Sequence, residues 1–286
     1  MASTINTNIP SMSAQRSLSS TQNSLAVSMA RLSSGLRVNS AKDDAAGLAI
    51  AERMTSQVRG MNVAMRNAND GISMAQTAEG ALGKTGEILQ RMRELAVQSS
   101  NATNSVSDKA SLDSEFGELA KEVQRVFAST TFNGRKIIGD DAGPQIFQVG
   151  ANTTAENQIT VTTTDMTAEP LLTVVAGTDT TGLGRAVITG DSAAVMLVID
   201  DIDDAINMVS SERSVLGASQ SRFESAISYL QISTENQAAA RSRIMDADFA
   251  VETSNLSRSQ ILSQAGSAML AQANQLPQSV LSLIRG

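Results

Sequence analysis

The sequence predicts a mainly α protein with a small β element: an elongated rod of long antiparallel, coiled-coil-like helices, a β-hairpin region, and a helix at each end. Three observations lead there. Heptad spacing recurs in separate stretches of the chain. Aromatic residues are only 2% of the 286, so apolar surface must come from Leu, Ile, Val, Met and Ala, which suits helices packed side by side. The middle, from Gly139 to about Gly190, loses the heptads and is rich in Thr, Gly, Asp and Asn.

Taken in order, Leu18, Leu25 and Leu32 lie seven apart, with Met29 and Leu36 as +4 partners. The small, polar run Ser33–Ser40 then reads as a spoke. Ser40-Ala41-Lys42-Asp43 reads as a capping-box start for a second helix. Along it Met54, Met61, Ala68, Ala75, Leu82, Leu89 and Ala96 hold one register, and Val58, Met65 and Ile72 fill the alternate seam. A helix from near Ala41 to Ser99 is roughly 85–90 Å long at about 1.5 Å per residue. A third helix starts at Ser105-Val106-Ser107-Asp108 and carries Leu112, Phe116, Leu119, Val123 and Val126.

Ile146–Val149 and Ile159–Thr162 are predicted to pair as a hairpin, and Leu171–Val175 as a further strand. The fourth heptad stretch is Ile202, Val209, Leu216, Phe223, Leu230, polar Gln237 and Ile244. The last is Leu262, Met269, Leu276 and Leu283, with Gly266, Ala273 and Val280 as a second seam. Pro277 is predicted to kink or end that helix, because it cannot donate to the Ala273 carbonyl. Five segments result: terminal helix and spoke (1–40), first part of the rod (41–138), hairpin and loop region (139–192), second part of the rod (193–244), and terminal helix (245–286).

Composition narrows the function. Without Cys or His there is no disulfide, thiolate or imidazole, so the commonest metal ligands and general base are missing. No P-loop or dinucleotide-binding glycine pattern occurs. The acidic cluster Asp200-Asp201-Ile202-Asp203-Asp204 reads as an exposed face near a helix N-terminus, where acids complement the dipole. A net charge of −7 argues against non-specific nucleic-acid binding. The longest fully apolar run, Ala193–Ile199, is far too short to span a bilayer. No charged n-region with an apolar core opens the chain, so the protein is expected to be cytosolic or to leave the cell by a route that needs no cleaved signal. Neither a catalytic site nor a cofactor is expected.

Both ends carry seams that neither can bury alone. Pairing the N-terminal with the C-terminal helix and stacking both on neighbouring copies buries them. A plain helical hairpin within one chain is the alternative. A secreted adhesin or ligand and a cytosolic coiled-coil enzyme or scaffold are the competing functional classes, and electron microscopy after seeding separates them.

Several long runs carry a family resemblance. Arg31-Leu32-Ser33-Ser34-Gly35-Leu36-Arg37-Val38-Asn39-Ser40-Ala41-Lys42-Asp43-Asp44-Ala45-Ala46-Gly47 resembles the N-terminal signature of bacterial flagellins. Arg66–Ser73, Glu79–Leu82, Gln90–Gln98 and Phe132-Asn133-Gly134 continue it, and Ala240–Ala250 and Gln272–Gln278 match at the far end. The resemblance covers roughly residues 1–165 and 193–286, with space between only for the β part of the core domain. It is a short form without outer domains.

The resemblance implies a structural subunit of the extracellular flagellar filament, serving motility. It is exported unfolded through the flagellar type III apparatus and added beneath a cap. Its terminal helices are disordered in the monomer and pair as a coiled coil in the polymer, lining the inner tube. The polymerisation seam is assigned to Leu18, Leu25, Leu32, Leu262, Met269, Leu276 and Leu283. The implied partners are other copies, an export chaperone at the C-terminal helix, the filament cap and the hook–filament junction proteins. Neither nucleic acid nor membrane is among them. In members that Toll-like receptor 5 detects, Arg91, Leu95 and Glu115 match the receptor-engaging positions, flanked by Gln90, Arg93 and Glu94. Thr162, Thr163, Thr164, Thr178, Thr180 and Thr181 are candidate O-glycan carriers, as some members have.

Overall fold

Capping chemistry sets most of the helix boundaries. The structure is a computed structural model that describes the backbone of residues 7–285 and the side chains of residues 7–275. Helix α1 (Ile9–Ser34) starts where the Asn8 side chain accepts from Ser11 N, with a proline in the first turn. It ends on Gly35 at φ 72°, a left-handed cap that glycine adopts without penalty. Helix α3 (Val106–Ser129) has the predicted capping box: Asp108 N donates to Ser105 Oγ, and Ser105 N donates back to Asp108.

The box at Ser40 is displaced. Asp43 does accept from the N–H groups of Asn39 and Ser40, but this closes a turn, not a helix. Helix α2 (Ala45–Ser99) begins five residues later, where Asp44 accepts from Gly47 N at 2.8 Å. Its 55 residues make it about 80 Å long.

Two hairpins follow α3. Strands β1 (Thr131–Phe132) and β2 (Arg135–Lys136) turn through Asn133 and Gly134, both at positive φ, as a two-residue hairpin turn requires. Strands β3 (Pro144–Gln148) and β4 (Gln158–Thr162) pair antiparallel, with Ile146 opposite Thr160. The expected strand at Leu171–Val175 is instead a short helix, α4 (Pro170–Ala176). Pro170 presets its first turn, and Leu172, Val175 and Ala176 fall on one helical side and are buried. Helices α5 (Ser192–Met245) and α6 (Phe249–Arg285) complete the chain. Pro277 does not end α6, whose helical backbone continues to Arg285. A proline removes one hydrogen bond and bends a helix without having to stop it.

The chain divides into two compact units, residues 57–234 and residues 1–56 with 235–286. In the first, the α2 register holds: Ala68, Ala75, Leu82, Leu89 and Ala96 are buried, beside Phe116, Val123 and Phe127 of α3 and Val209, Leu216 and Phe223 of α5. The β3–β4 hairpin closes this core. Phe147 meets Phe223 edge-on at 5.4 Å, and Asn67 donates to the Gln148 carbonyl. In the second unit α1 and α6 pair. Leu18, Leu25 and Leu32 are half-buried. Their expected partner Met29 points outward and Ser28 is buried in its place, a +3 step where a +4 was expected.

Gly71 marks how closely α2 approaches Phe223: a Cβ there falls 2.6 Å from Phe223 Cζ. Gly71→Ala is expected to destabilise by about 1–3 kcal/mol through overpacking, against a helix-propensity gain of about 1 kcal/mol. Gly80, on the same helix with nothing within 4 Å, is the control. Gly80→Ala should stabilise, and urea denaturation of both variants checks the opposite signs.

Candidate assembly and recognition surfaces

The α1–α6 pair buries an unusually small and polar seam. Its α6 side consists of Glu252, Ser259 and Ala273, buried, with Ser263, Gly266 and Leu270 half-buried between them. Leu18 lies against Gly266, Asn8 donates to the Ala273 carbonyl at 2.8 Å, and Ser11 donates to Asn274. Of the two C-terminal seams in the sequence, the one through Gly266 and Ala273 therefore faces α1. Leu262 and Met269 face away, 51% and 68% exposed. Leu276, Leu283 and Val280 lie outside the described side chains. Large apolar groups thus stand outward on both helices: Ile9, Met12, Val27 and Met29 on α1, and Val251, Ile261, Leu262 and Met269 on α6.

At the end of α1 the chain forms a buckle with the end of α5. Ala247 N donates to the Gly35 carbonyl at 2.9 Å, and Arg37 N donates to the Met245 carbonyl. The Arg37 guanidinium caps α5 through the Ile244 carbonyl at 2.7 Å.

The second surface is the outward face of α2 between α3 and α5. Gln90, Arg93, Glu94, Val97 and Gln98 line an open depression. Arg91 reaches α3, donating to Glu115 at 2.9 Å and, on its own helix, to Glu94 at 2.8 Å. Arg93 reaches α5 with a two-pronged pair to Asp203 at 2.6 and 3.1 Å. Hydrogen bonds to Glu94 and Glu115 hold the Arg91 guanidinium still more firmly charged, and the bond to Asp203 does the same for Arg93. Leu95 requires a correction: it is 1% exposed, in the core, and cannot anchor a partner on this face. The exposed apolar residue here is Val97. Its signal was in the sequence, since Gln90, Glu94 and Val97 follow the 4–3 step of one helical face.

Comparison with known proteins bears on both surfaces. The family model of the bacterial flagellin N-terminal helical region matches residues 5–141, and that of the C-terminal helical region matches residues 199–284. A flagellin of Halalkalibacterium halodurans is 47% identical over 281 residues, covering 98% of this chain and 99% of the relative. The chain belongs to the bacterial flagellin family. A flagellin of Bacillus subtilis is 43% identical, covering 98% of this chain and 99% of its own. Flagellin A of Vibrio cholerae is 37% identical across the whole of both chains, in an alignment of 379 positions against 286 residues here. This flagellin is therefore one with a short central region. As a flagellin it is a structural subunit of the self-assembling filament outside the cell, and not an enzyme.

The short centre of this flagellin is strapped down. Residues 163–191 run back over the core and contribute buried Met166, Leu172, Val175 and Ile188. Gln124 donates to the Gly177 carbonyl, Ser99 to that of Ile188 and Lys109 to that of Gly190. The strongest tie is Asp113, which accepts two bonds from Arg185, at 3.0 and 2.7 Å, and one from Ile188 N. The same guanidinium lies 5.9 Å from the centre of the Phe116 ring. Among the glycan candidates, Thr163 is buried and bonded to Gly143. Thr164 is half-buried and donates to Glu212. Thr162, Thr178, Thr180 and Thr181 are exposed.

Burial pushes the Asp113 carboxyl up, but the Arg185 and Ile188 bonds and the Arg185 charge outweigh it, so its pKa is lowered from 3.8. A carboxylate depressed in the folded state adds stability that is complete above its unfolded pKa and is lost as pH falls through the folded one. Asp113→Asn should therefore cost about 1–3 kcal/mol at neutral pH. That gap should close as pH falls below about 4. Urea midpoints of both proteins from pH 6 to pH 2.5 measure it.

Proposed function

We propose that this flagellin assembles through the outward apolar faces of its α1–α6 pair. The observation that carries the reading is the inversion of α6: its small and polar side chains face the leucines of α1, while Leu262, Met269 and Ile261 stand in solvent, as do Met12 and Met29 of α1. A two-helix unit with so little buried apolar area is marginal alone. Stacking on neighbouring copies buries the remaining surface and offsets the ordering entropy. Heterologous contacts of this kind that do not close on themselves build an open helical array and not a ring. Terminal helices that order only on assembly suit export in an unfolded state through the flagellar type III apparatus, with a chaperone covering α6 beforehand. Addition under the filament cap and a junction with hook-associated proteins complete the reading.

Leu262→Asp and Met269→Asp each place a carboxylate in the stacked face, at a cost of several kcal/mol per unpaired buried charge. Both side chains are exposed within the subunit, so circular dichroism of the monomer should not change. Seeded growth followed by electron microscopy should show no filaments, and filaments of normal length from both variants would sink the assignment.

The α2 face supports a second role, recognition of the monomer by Toll-like receptor 5. Gln90, Arg91, Arg93, Glu94 and Glu115 are all exposed and lie on adjoining helices. Arginine in such a position supplies a planar donor fork, a common hot spot at interfaces. Arg91→Ala removes two exposed ion pairs and Glu115→Ala one; such pairs contribute little to folding, so each variant should weaken a receptor-reporter response without unfolding the subunit. Packing of subunits in the filament should mask the face, leaving monomer more active than sheared filament. An inactive wild-type monomer at saturating dose, or variants equal to wild type, would exclude this surface.

A further inference from the structure

The outward side of the α1–α6 pair is set apart by its chemistry as well as by its polarity. Among the described residues four methionines are exposed: Met12 (56%), Met29 (52%), Met196 (58%) and Met269 (68%). Three of them stand on the terminal pair, Met12 and Met29 on α1 and Met269 on α6. Met61, Met74, Met92 and Met166 of the other unit are at most 5% exposed. Exposed thioethers are thus gathered on the surface that the assembly reading assigns to neighbouring copies. The chain has no cysteine, so no thiolate draws an oxidant away from them.

Methionine packs as an adaptable apolar group, but its sulfur is open to oxidation. The sulfur lone pair attacks one oxygen of hydrogen peroxide. The S–O bond forms as the O–O bond breaks, and the attacked oxygen gives its proton to the departing hydroxide. Sulfur is oxidised, the peroxide is reduced, and the products are methionine sulfoxide and water. The side chain is then polar, with a strong hydrogen-bond acceptor near its tip. In the free subunit that oxygen is solvated, because all three side chains stand in solvent. In a stacked face it gives up its water, and an acceptor buried without a donor is disfavoured.

We propose that Met12, Met29 and Met269 make polymerisation sensitive to oxidation: their sulfoxides exclude a free subunit from the growing filament, and burial in the filament protects the thioethers. The inference rests on the assembly reading above, since only the covering of these faces gives the sulfoxide its cost. The block is reversible by reductases that return the sulfoxide to the thioether.

The test uses the wild-type protein throughout. In the first arm, monomer and preformed filament are exposed to hydrogen peroxide, and peptide mass spectrometry follows each methionine with time. Met12, Met29 and Met269 should react more slowly in filament than in monomer. Equal rates at these positions would leave the faces uncovered and refute the assembly reading itself. In the second arm, partly oxidised monomer is offered to seeds, and filament is separated from the remaining monomer by sedimentation. Sulfoxide at the three positions should be roughly tenfold or more depleted in the filament fraction. Sulfoxide at Met196, on α5 of the other unit, should be equally frequent in both fractions. Protection in the first arm with equal incorporation of the three sulfoxides in the second overturns the inference and leaves the assembly reading standing. Depletion at Met196 as large as at the other three also overturns it, because exclusion would not then belong to the terminal pair. Rejected monomer treated with methionine sulfoxide reductases of both epimer specificities should regain incorporation. Continued rejection after complete reduction places the damage elsewhere and overturns the inference as well.

Discussion

Close approach between helices seamed with alanine, glycine and serine is the constraint on which the rest of the structure depends. Such seams bring backbones together but bury little apolar area per turn, and burial contributes only about 25 cal/mol per Å². Length has to compensate, which accounts for helices of 55 and 54 residues. Where larger groups are present they are concentrated. Phe147 and Phe223 meet over Gly71, and Phe116 lies under Arg185. The hairpin and the strap are both fastened at those aromatic points, so the β part of the chain is held by a few large contacts on a framework of many small ones.

Most of the fold was legible because heptads are a one-dimensional signal. The register of Ala68, Ala75, Leu82, Leu89 and Ala96 survives as the buried face of α2, and the Ser105 box starts α3 as written. The misreadings have local causes. Leu171–Val175 has strand propensity, but Pro170 and the core-facing Leu172, Val175 and Ala176 favour about two turns of helix. At Ser40 the capping chemistry was real but belongs to a turn, and the acid one residue on, Asp44, accepts from the first turn of α2.

The surfaces were harder to read, because a hydrophobic period does not say which of two faces meets a partner within the chain. Leu262 and Met269 look like the better seam on α6, and Gly266 and Ala273 the weaker one. Within the chain the order is reversed, since only small residues on α6 admit Leu18 and its successors from α1. Similarly, Leu95 follows exposed Arg93 and Glu94 in the sequence yet points into the core. A helix turns 100° per residue, so adjacency along the chain carries no information about a shared face.

The same division explains why the polar groups of the terminal pair sit where they do. A hairpin meant to stand alone gains most by burying leucines against leucines. This pair instead sets the leucines of α1 against serine, glycine and a buried glutamate of α6, and leaves Leu262 and Met269 outside. Apolar stacking is non-directional and tolerates sliding, so a strong but unspecific outer face needs an inner seam that fixes position. Arg31 with Glu252, Ser11 with Asn274, and the Gly35–Ala247 buckle do this with charge and hydrogen bonds, which lose their partners abruptly on displacement. In the proposed assembly, affinity resides on the outside of the pair, and the polar contacts that hold its two helices together lie on the inside.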